Sequence, residues 1–263
     1  MFRTYTAIAL IFLTGCGGSG GTTNVTDGPQ QTSLATFTDG FSVVRRVDTG
    51  GSLASAATVN TVSTARVPTT EIPEDDPFKI KVSDLTLLTT TANGKVYNGN
   101  VTLNGDVYSV RMFTEDNSST QLISALNTAD SKKWTIVSGD APSNLPSGTA
   151  TYTGQNLISN TDNTNPGGGS FTMSVNFSNN SGSLIATSTT ANSSLSGNFN
   201  IDPATGYFSG NNLTLNAPAL SGGTSNAIIY GSFHGNGATG VSGLYYDDAT
   251  APLVNGAIIG TKQ

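Results

Sequence analysis

The 263-residue chain is short of cysteine, histidine and charge. It contains one cysteine and one histidine, and only 11% of its residues are charged. A single cysteine excludes an intrachain disulfide, and one histidine with one cysteine cannot form a histidine/cysteine metal site. The 11 basic residues form no extended basic cluster and are outnumbered by 17 acidic ones. Because affinity for nucleic acid depends on lysine and arginine neutralising phosphates, this balance argues against a nucleic-acid partner.

The polarity of the chain comes instead from threonine, serine, asparagine and 31 glycines. Threonine is favoured on pleated surfaces, whereas glycine and asparagine are favoured in tight turns. Eleven phenylalanines and eight tyrosines supply large side chains for a core. The composition therefore predicts an all-β protein, and the length allows one or two domains.

The first residues have the pattern of a signal peptide, predicted over residues 1–15. Arg3 precedes the apolar run Ala7–Leu13, which is too short to span a bilayer as a helix of the mature protein. The run ends in Leu13-Thr-Gly-Cys16, which resembles a bacterial lipobox, so Cys16 is predicted to become the first residue and to carry the lipid anchor. The alternative is an ordinary secretory signal with an unrelated cysteine. In Gram-negative lipoproteins an aspartate after the cysteine favours the inner membrane, so Gly17 at this position implies the outer membrane.

Residues 16–33 are predicted to form a lipidated flexible tether. The segment is rich in glycine, serine and threonine and cannot bury enough apolar surface to offset the entropy lost on ordering. Gly17–Gly21 is not a phosphate-binding loop, because no strand precedes it and no lysine or helix follows it. The tether would let the folded part stand away from the membrane.

Residues 34–138 are predicted to form a smaller β-rich domain. Alternating apolar and polar residues predict strands in this region, although Gln121–Leu126 fits a short helix or a strand equally well. The predicted strands are Phe41–Val47, Lys79–Leu85, Val107–Phe113 and Lys132–Ser138. Asn93-Gly94, Asn98-Gly99 and Asn104-Gly105 are each typical of a tight hairpin turn, and the sequence does not show which of them turns.

Three further features of this part of the chain are expected to be exposed. Val67–Pro77 carries three prolines and four acids and predicts a loop or strap. Residues 139–147 contain two prolines and predict a linker between the two domains. Basic side chains are predicted to lie on solvated strand faces and not at a ligand site: Arg45, Arg46, Lys79, Lys81, Lys132 and Lys133.

Residues 148–263 are predicted to form an eight-stranded antiparallel up-and-down barrel. Eight short segments of strand character follow one another, separated by turn residues, and closing such a sheet removes both of its free edges. The predicted strands are Thr149–Gln155, Phe171–Phe177, Ser183–Thr189, Leu195–Ile201, Tyr207–Leu215, Ala227–Phe233, Val241–Tyr246 and Gly256–Thr261. The predicted core comprises Tyr152, Phe171, Phe177, Phe199, Phe208 and Phe233.

The spacing of glycines and aromatics along this barrel resembles the carboxy-terminal barrel of the transferrin-binding protein B family. The matching segments are Gly148–Gly154, the alternating strand ending in Asn176-Phe177, Phe208-Ser-Gly210, Gly231–Gly235 with Gly243 after it, and Gly256–Lys262. Factor H binding protein and the neisserial heparin-binding antigen are similar in this region. The resemblance implies a lipid-anchored outer-membrane protein, often displayed on the cell surface, that binds a partner. No ligand-contacting residue of these relatives can be assigned to a position in this chain. The chain also lacks an arginine-rich segment like that of the heparin-binding antigen.

Catalytic and metal-binding patterns are missing from the sequence. His234 is predicted to face solvent in a strand or turn; Asp247 and Asp248 could approach it in a hairpin, but no Gly-x-Ser-x-Gly nucleophile motif is present. Asn160–Gly169 has oxygen ligands that calcium could use, yet it lacks the spaced acids and the bidentate glutamate of a calcium loop, so a hairpin loop is predicted. No catalytic residue, metal ligand or cofactor is therefore predicted.

The sequence consequently favours a non-enzymatic lipoprotein of the outer membrane. It would capture a macromolecule or an iron- or haem-related carrier, such as a host or environmental protein, at the cell envelope. A structural or adhesive lipoprotein without a dedicated soluble ligand is the alternative, because the charge-poor surface suits that role equally well. The ligand, its binding residues and the side of the outer membrane are left open.

Overall fold

The computed structural model of the chain describes residues 41–49, 61–67, 77, 80–91, 94–115, 120–130, 132–160, 167–249 and 254–263. The predicted signal peptide, Cys16, the tether and most of Val67–Pro77 and of the Asn160–Gly169 loop lie outside these ranges. Within the described part of the chain, no helix has the length and apolar character needed to cross a membrane.

The first seven strands form one antiparallel sheet. They are β1 (Phe41–Thr49), β2 (Thr61–Val67), β3 (Thr86–Thr91), β4 (Gly94–Leu103), β5 (Asp106–Glu115), β6 (Gln121–Asn127) and β7 (Lys132–Asp140). Their order across the sheet is β2-β1-β7-β6-β5-β4-β3. Strand β1 therefore enters the sheet beside β7, the strand that is last in sequence.

Of the three Asn-Gly pairs in this sheet, one forms a hairpin turn in the described part of the chain. Asn104-Gly105 is the turn between β4 and β5, with φ of 47° and 96° at its two residues, as a two-residue hairpin requires. Asn98-Gly99 lies inside β4, and Gly94 is the first residue of that strand. Gln121–Leu126 belongs to a strand, which settles the helix-or-strand alternative.

The strand predicted over Lys79–Leu85 is wrong. Val82–Asp84 is a short 3₁₀ turn, in which the Asp84 carboxylate accepts a hydrogen bond of 3.1 Å from the Lys81 backbone N–H. This carboxylate stabilises the turn because a nearby backbone donor has no partner in a ladder. Val82 and Ile80 are buried on one face of the sheet, where they complete a core with Val110, Met112, Ile123 and Ile136.

The remaining eight strands form a closed antiparallel barrel, as predicted. They are β8 (Thr149–Asn160), β9 (Gly167–Asn176), β10 (Ser181–Ser188), β11 (Ser193–Ile201), β12 (Tyr207–Ala217), β13 (Gly223–His234), β14 (Gly240–Asp247) and β15 (Val254–Lys262). Consecutive strands pair with each other, and β15 closes the barrel on β8. One four-residue helical turn, α1 (Pro218–Ser221), lies between β12 and β13.

The interior of the barrel is filled by the predicted aromatic core. Phe233 is at its centre, with its ring centroid 5.2 Å from that of Tyr152, 5.1 Å from Phe177 and 5.4 Å from Phe208. Tilted and edge-to-face arrangements at these distances are favourable for aromatic pairs. All six predicted core aromatics are buried in this cluster, so this interior is a packed core and not a ligand cavity.

Two paired glycines give the Phe208 ring its place in this core. Gly231 of β13 lies opposite Gly243 of β14. A Cβ atom at Gly231 would overlap Cζ of Phe208, and one at Gly243 would lie 3.1 Å from the same atom. Glycine inside these strands therefore reflects a close approach of a large ring to the backbone.

Candidate functional site: the junction of sheet and barrel and the outer surfaces

The sheet packs against the outside of the barrel through an apolar contact. One face of the sheet contributes buried side chains from β4 to β7, and the barrel contributes side chains that point outward from β8, β14 and β15. The contact consists of Val96, Phe113, Leu122 and Val137 from the sheet and Leu157, Leu244, Ala257 and Ile259 from the barrel. Burial of these groups fixes the sheet on the barrel wall by the hydrophobic effect.

Two adjacent isoleucines in β15 were a sequence signal for this contact, although the alternation of apolar and polar residues along the other barrel strands does not show it. Ile258 belongs to the barrel core and Ile259 to the junction, so β15 carries apolar side chains on both of its faces. Because successive residues of a strand point to opposite faces, two adjacent buried isoleucines show that both faces are covered.

His234 lies at this junction and is buried, with 1% of its surface exposed, so the predicted solvent-facing position is wrong. Its Nε2 forms a hydrogen bond of 2.7 Å with Oγ of Ser242, which is itself fully buried. The imidazole also packs against Gly139 of β7, where a Cβ atom would lie 2.6 Å from the ring Cγ. The histidine points outward from the barrel, but the sheet covers it.

The suggested approach of Asp247 and Asp248 to His234 is also wrong. His234 pairs with Gly240 at one end of the β13–β14 hairpin, whereas Asp247 pairs with Ala227 at the other end. Seven strand positions separate the two sites, which is about 23 Å. Asp247 instead accepts a hydrogen bond of 2.8 Å from the backbone N–H of Val254. The histidine–serine pair therefore has no carboxylate from this hairpin and no exposed face for a substrate, so it lacks the requirements of a catalytic triad.

Burial controls the ionisation of His234. Removal from water disfavours the imidazolium form and lowers the pKa of His234 from 6.5 to about 3, although the neighbouring backbones of Gly139 and Asp140 partly oppose this effect. The ring is therefore neutral at physiological pH. Among the residues that the structure describes, no group of three or more histidine, cysteine, aspartate or glutamate side chains could hold a metal ion.

One of the predicted solvated cations is buried. Lys133 is 5% exposed, because it pairs with Leu126 on the sheet face that meets the barrel and lies with Leu157 and Asn255 around a small cavity at the junction. Lys81 is exposed, as predicted. The side chains of the other four cations are outside the described part of the chain.

A groove lies at the end of the barrel where the chain enters it. The connecting segment (residues 141–148) crosses this end and is fastened by a hydrogen bond of 3.1 Å from Ser143 Oγ to Asn236 Oδ1. The groove has a volume of about 430 Å³, and none of its lining residues is charged. Its walls include Pro142, Leu145 and Pro146 of the connecting segment, Phe177 and Asn180 of one barrel turn and Pro203 of another.

The barrel surface formed by β9 to β12 is exposed and uncharged. Its exposed side chains are serine, threonine or asparagine with one exception, Ile185, which is 61% exposed. We call this surface the uncharged wall: Thr172, Ser174, Ser183, Ile185, Thr187, Ser196, Asn198, Asn200, Ser209, Asn211, Asn212, Thr214 and Asn216. Hydroxyl and amide groups both donate and accept hydrogen bonds, so the wall offers polar contacts without selecting a charge.

These features define a class of β protein in which an open antiparallel sheet is fixed to the outside of a closed, filled barrel. The same fold occurs in solved structures of transferrin-binding protein B (TbpB), which confirms the predicted resemblance at the level of fold. No protein-family model matches the chain, and no curated protein matches it in sequence.

Three of these structures show the extent of the likeness. TbpB from serogroup B Neisseria meningitidis is similar with a TM-score of 0.56 and 12% identity, over 84% of this chain and 43% of that one. A double mutant of TbpB from Haemophilus parasuis Hp5 is similar with a TM-score of 0.55 and 13% identity, over 84% of this chain and 45% of that one. Intact Ap-TbpB, with N and C lobes, is similar with a TM-score of 0.53 and 13% identity, over 84% of this chain and 46% of that one. The chain thus spans somewhat less than half the length of each of these three structures.

Proposed function

We propose that this protein is a lipid-anchored binding protein of the outer membrane that captures a macromolecular partner at the cell envelope. The partner would be a host or environmental protein, including a carrier of iron or haem. The fold is the observation that carries the proposal, because solved structures with this arrangement of sheet and barrel are named for the protein they bind, transferrin. Cys16 would supply the anchor through its lipobox.

The packing of the barrel supports a partner bound on the outside. The barrel core is filled by aromatic and aliphatic side chains, and a filled interior offers no space for the small ligand that other eight-stranded barrels can hold. The groove beside the connecting segment and the uncharged wall are surfaces on which a macromolecule could dock. The acidic net charge of −6 would disfavour strongly acidic partners.

The proposal includes the absence of enzymatic activity. Its basis is the burial of the only histidine against Gly139 and Ser242 and the lack of a nucleophile motif in the sequence. A hydrolytic activity of the purified protein that is lost in His234→Ala, while the variant keeps its fold by circular dichroism, would contradict this part of the proposal.

Protease treatment of intact cells, followed by immunoblotting, tests the location, with lysed cells as the control. If intact cells lose the band, the protein faces outward, and capture of host or environmental macromolecules is supported. If the band survives until lysis, the surface-capture role fails, and a periplasmic binding or envelope-scaffold role replaces it.

A structural or adhesive lipoprotein is the second candidate, and the uncharged wall favours it. Specific protein interfaces are enriched in aromatic residues and arginine and depleted in serine, and the wall has the opposite composition. Pull-down from growth medium or host fluid distinguishes the two functions. One partner that saturates and competes supports capture, whereas the lack of any saturable partner supports the structural role.

A further inference from the structure

The only histidine of the chain lies where three elements meet. His234 is the last residue of β13, its hydrogen-bond partner Ser242 is on β14, and Gly139 of β7 packs on the ring. We propose that His234 is an acid-sensitive latch between the sheet and the barrel: the neutral imidazole holds the end of β7 on the barrel wall, and protonation of the imidazole opens this contact.

The hydrogen bonds that join the sheet to the barrel next to His234 all lie at one end of the barrel. Next to the imidazole, the Gly235 N–H donates a hydrogen bond of 2.9 Å to the Asp140 carbonyl. The connecting segment begins directly after Asp140, and its Ser143 forms a hydrogen bond with Asn236. Displacement of the imidazole would therefore disturb the contacts that join β7 and the connecting segment to the barrel turn at residues 235–239.

The site is built for a neutral ring. An imidazolium donates from both ring nitrogens. The Ser242 hydroxyl can accept from Nε2, whereas Nδ1 has only the backbones of Gly139 and Asp140 beside it and forms no hydrogen bond of good geometry. Protonation in the closed state would bury a charge that lacks a full set of partners, which is strongly unfavourable.

The acidic residues on the strands around the latch are Asp48, Asp140 and Asp247. Asp140 follows Gly139 on β7, Asp48 of β1 pairs with Lys133 at the far end of β7, and Asp247 is at the far end of β14. The connecting segment and the 235–239 turn contain no charged residue. The basic residues on the neighbouring elements lie on four strands. Arg45 and Arg46 of β1 pair with Ile136 and Thr135, and Arg66 of β2 pairs with Ser42. Lys132 and Lys133 are at the far end of β7, and the backbone N–H of Lys262 of β15 donates to the Thr239 carbonyl.

The direction of the pH effect follows from the two states of the ring. In the closed junction burial lowers the pKa of His234 to about 3, whereas in an open junction the ring regains its ordinary value of 6.5. Between these values the open state binds a proton that the closed state does not, so acid favours opening. Each pH unit below 6.5 should favour opening roughly tenfold, until the closed state is also protonated near pH 3.

Hydrogen–deuterium exchange of the full-length protein in detergent tests the latch. Protection is measured between about pH 7 and pH 4 and corrected for the intrinsic exchange rate at each pH. Peptides that cover residues 135–145 and 230–242 should lose roughly tenfold in protection per pH unit below 6.5. Peptides of β10 and β11, on the far side of the barrel, should keep their protection. If both sets lose protection in parallel, the protein unfolds as a whole and the latch is refuted.

Two variants separate titration of the ring from loss of its hydrogen bond. His234→Gln cannot take up a proton in this range and should remove the pH dependence of the junction peptides. Ser242→Ala loses the bond to Nε2 but keeps a titratable ring, so it should lower protection while the pH dependence persists. An unchanged pH dependence in His234→Gln would refute the proposal.

A nuclear magnetic resonance titration of the wild-type protein keeps the test valid even if His234→Gln does not fold. Because the chain has one histidine, its Cε1–H signal needs no assignment among several. This signal should stay at its neutral position from about pH 8 to pH 5 in the folded protein. A signal that titrates near pH 6.5 while the fold is intact would show that the imidazole is not held neutral at the junction, and would overturn the proposal.

Discussion

A Cβ atom on Gly139 of β7 would lie 2.6 Å from Cγ of His234 on β13. This pair joins the last strand of the sheet to the wall of the barrel, and the imidazole occupies the space that any other residue at position 139 would need. Close packing of this kind tolerates little added volume, because interiors are filled to nearly the density of a crystal.

Gly139→Ala should therefore destabilise the junction. The added methyl group must displace the imidazole or the β7 backbone, and overpacking of this kind costs about 1–3 kcal/mol. The free energy of unfolding from urea titration, followed by circular dichroism, is the measurement.

Gly223→Ala is the matched control for that variant. A Cβ atom at Gly223 meets no atom within 4 Å, so its effect should stay within about 0.5 kcal/mol. Equal effects of the two substitutions would contradict the packing of His234 on Gly139.

Phe233→Ala should be among the most damaging substitutions in the barrel. Its ring is fully buried and contacts the rings of Tyr152, Phe177 and Phe208. Removing a buried phenylalanine side chain costs about 3–5 kcal/mol, because transfer energy is lost and a cavity is left. Ile185→Ala, at a position that is 61% exposed, is the control and should change the free energy of unfolding by less than about 0.5 kcal/mol.

Tyr245→Phe tests a hydrogen bond inside the barrel. The Tyr245 hydroxyl donates to Oδ1 of Asn156 over 2.8 Å, and burial raises the pKa of this tyrosine, so the hydroxyl stays protonated. Losing the hydroxyl leaves the buried Asn156 oxygen without this donor, at a cost of about 1–3 kcal/mol.

A double-mutant cycle with Asn156→Ala isolates the Tyr245–Asn156 interaction. The two substitutions should be non-additive, with a coupling of at least about 0.5 kcal/mol in the free energy of unfolding. Strictly additive effects would show that the two side chains do not interact.

The strands of the barrel could be predicted because their inward and outward residues differ so clearly. Along β9, Phe171, Met173 and Val175 are buried, while Thr172 and Ser174 between them are exposed. Such alternation defines both a strand and the face that forms the core. The predicted eight strands followed from this pattern and from the turn residues that separate them.

The junction could not be predicted in the same way. Alternation assigns His234 to the outward face of β13 correctly, but it does not show that another part of the chain covers this face. That depends on contacts between His234 and Gly139, which are 95 positions apart in sequence. The adjacent buried residues Ile258 and Ile259 were the available signal, and they indicate a covered face without identifying what covers it.

The lipid anchor gives the last prediction. Replacing Cys16 by serine removes the only thiol of the chain, so the variant should neither incorporate radiolabelled palmitate nor partition with outer membranes after lysis. Each buried methylene contributes about 0.8 kcal/mol, so loss of the acyl chains should turn stable membrane attachment into release. Cys16→Ser should also keep the urea midpoint of the folded part, because the cysteine lies 25 residues before the first strand that the structure describes. Palmitate labelling that persists in the variant would exclude Cys16 as the acylated residue. A wild-type protein that takes up no label would support the ordinary secretory signal instead, and the proposed capture function would then require another route to the membrane.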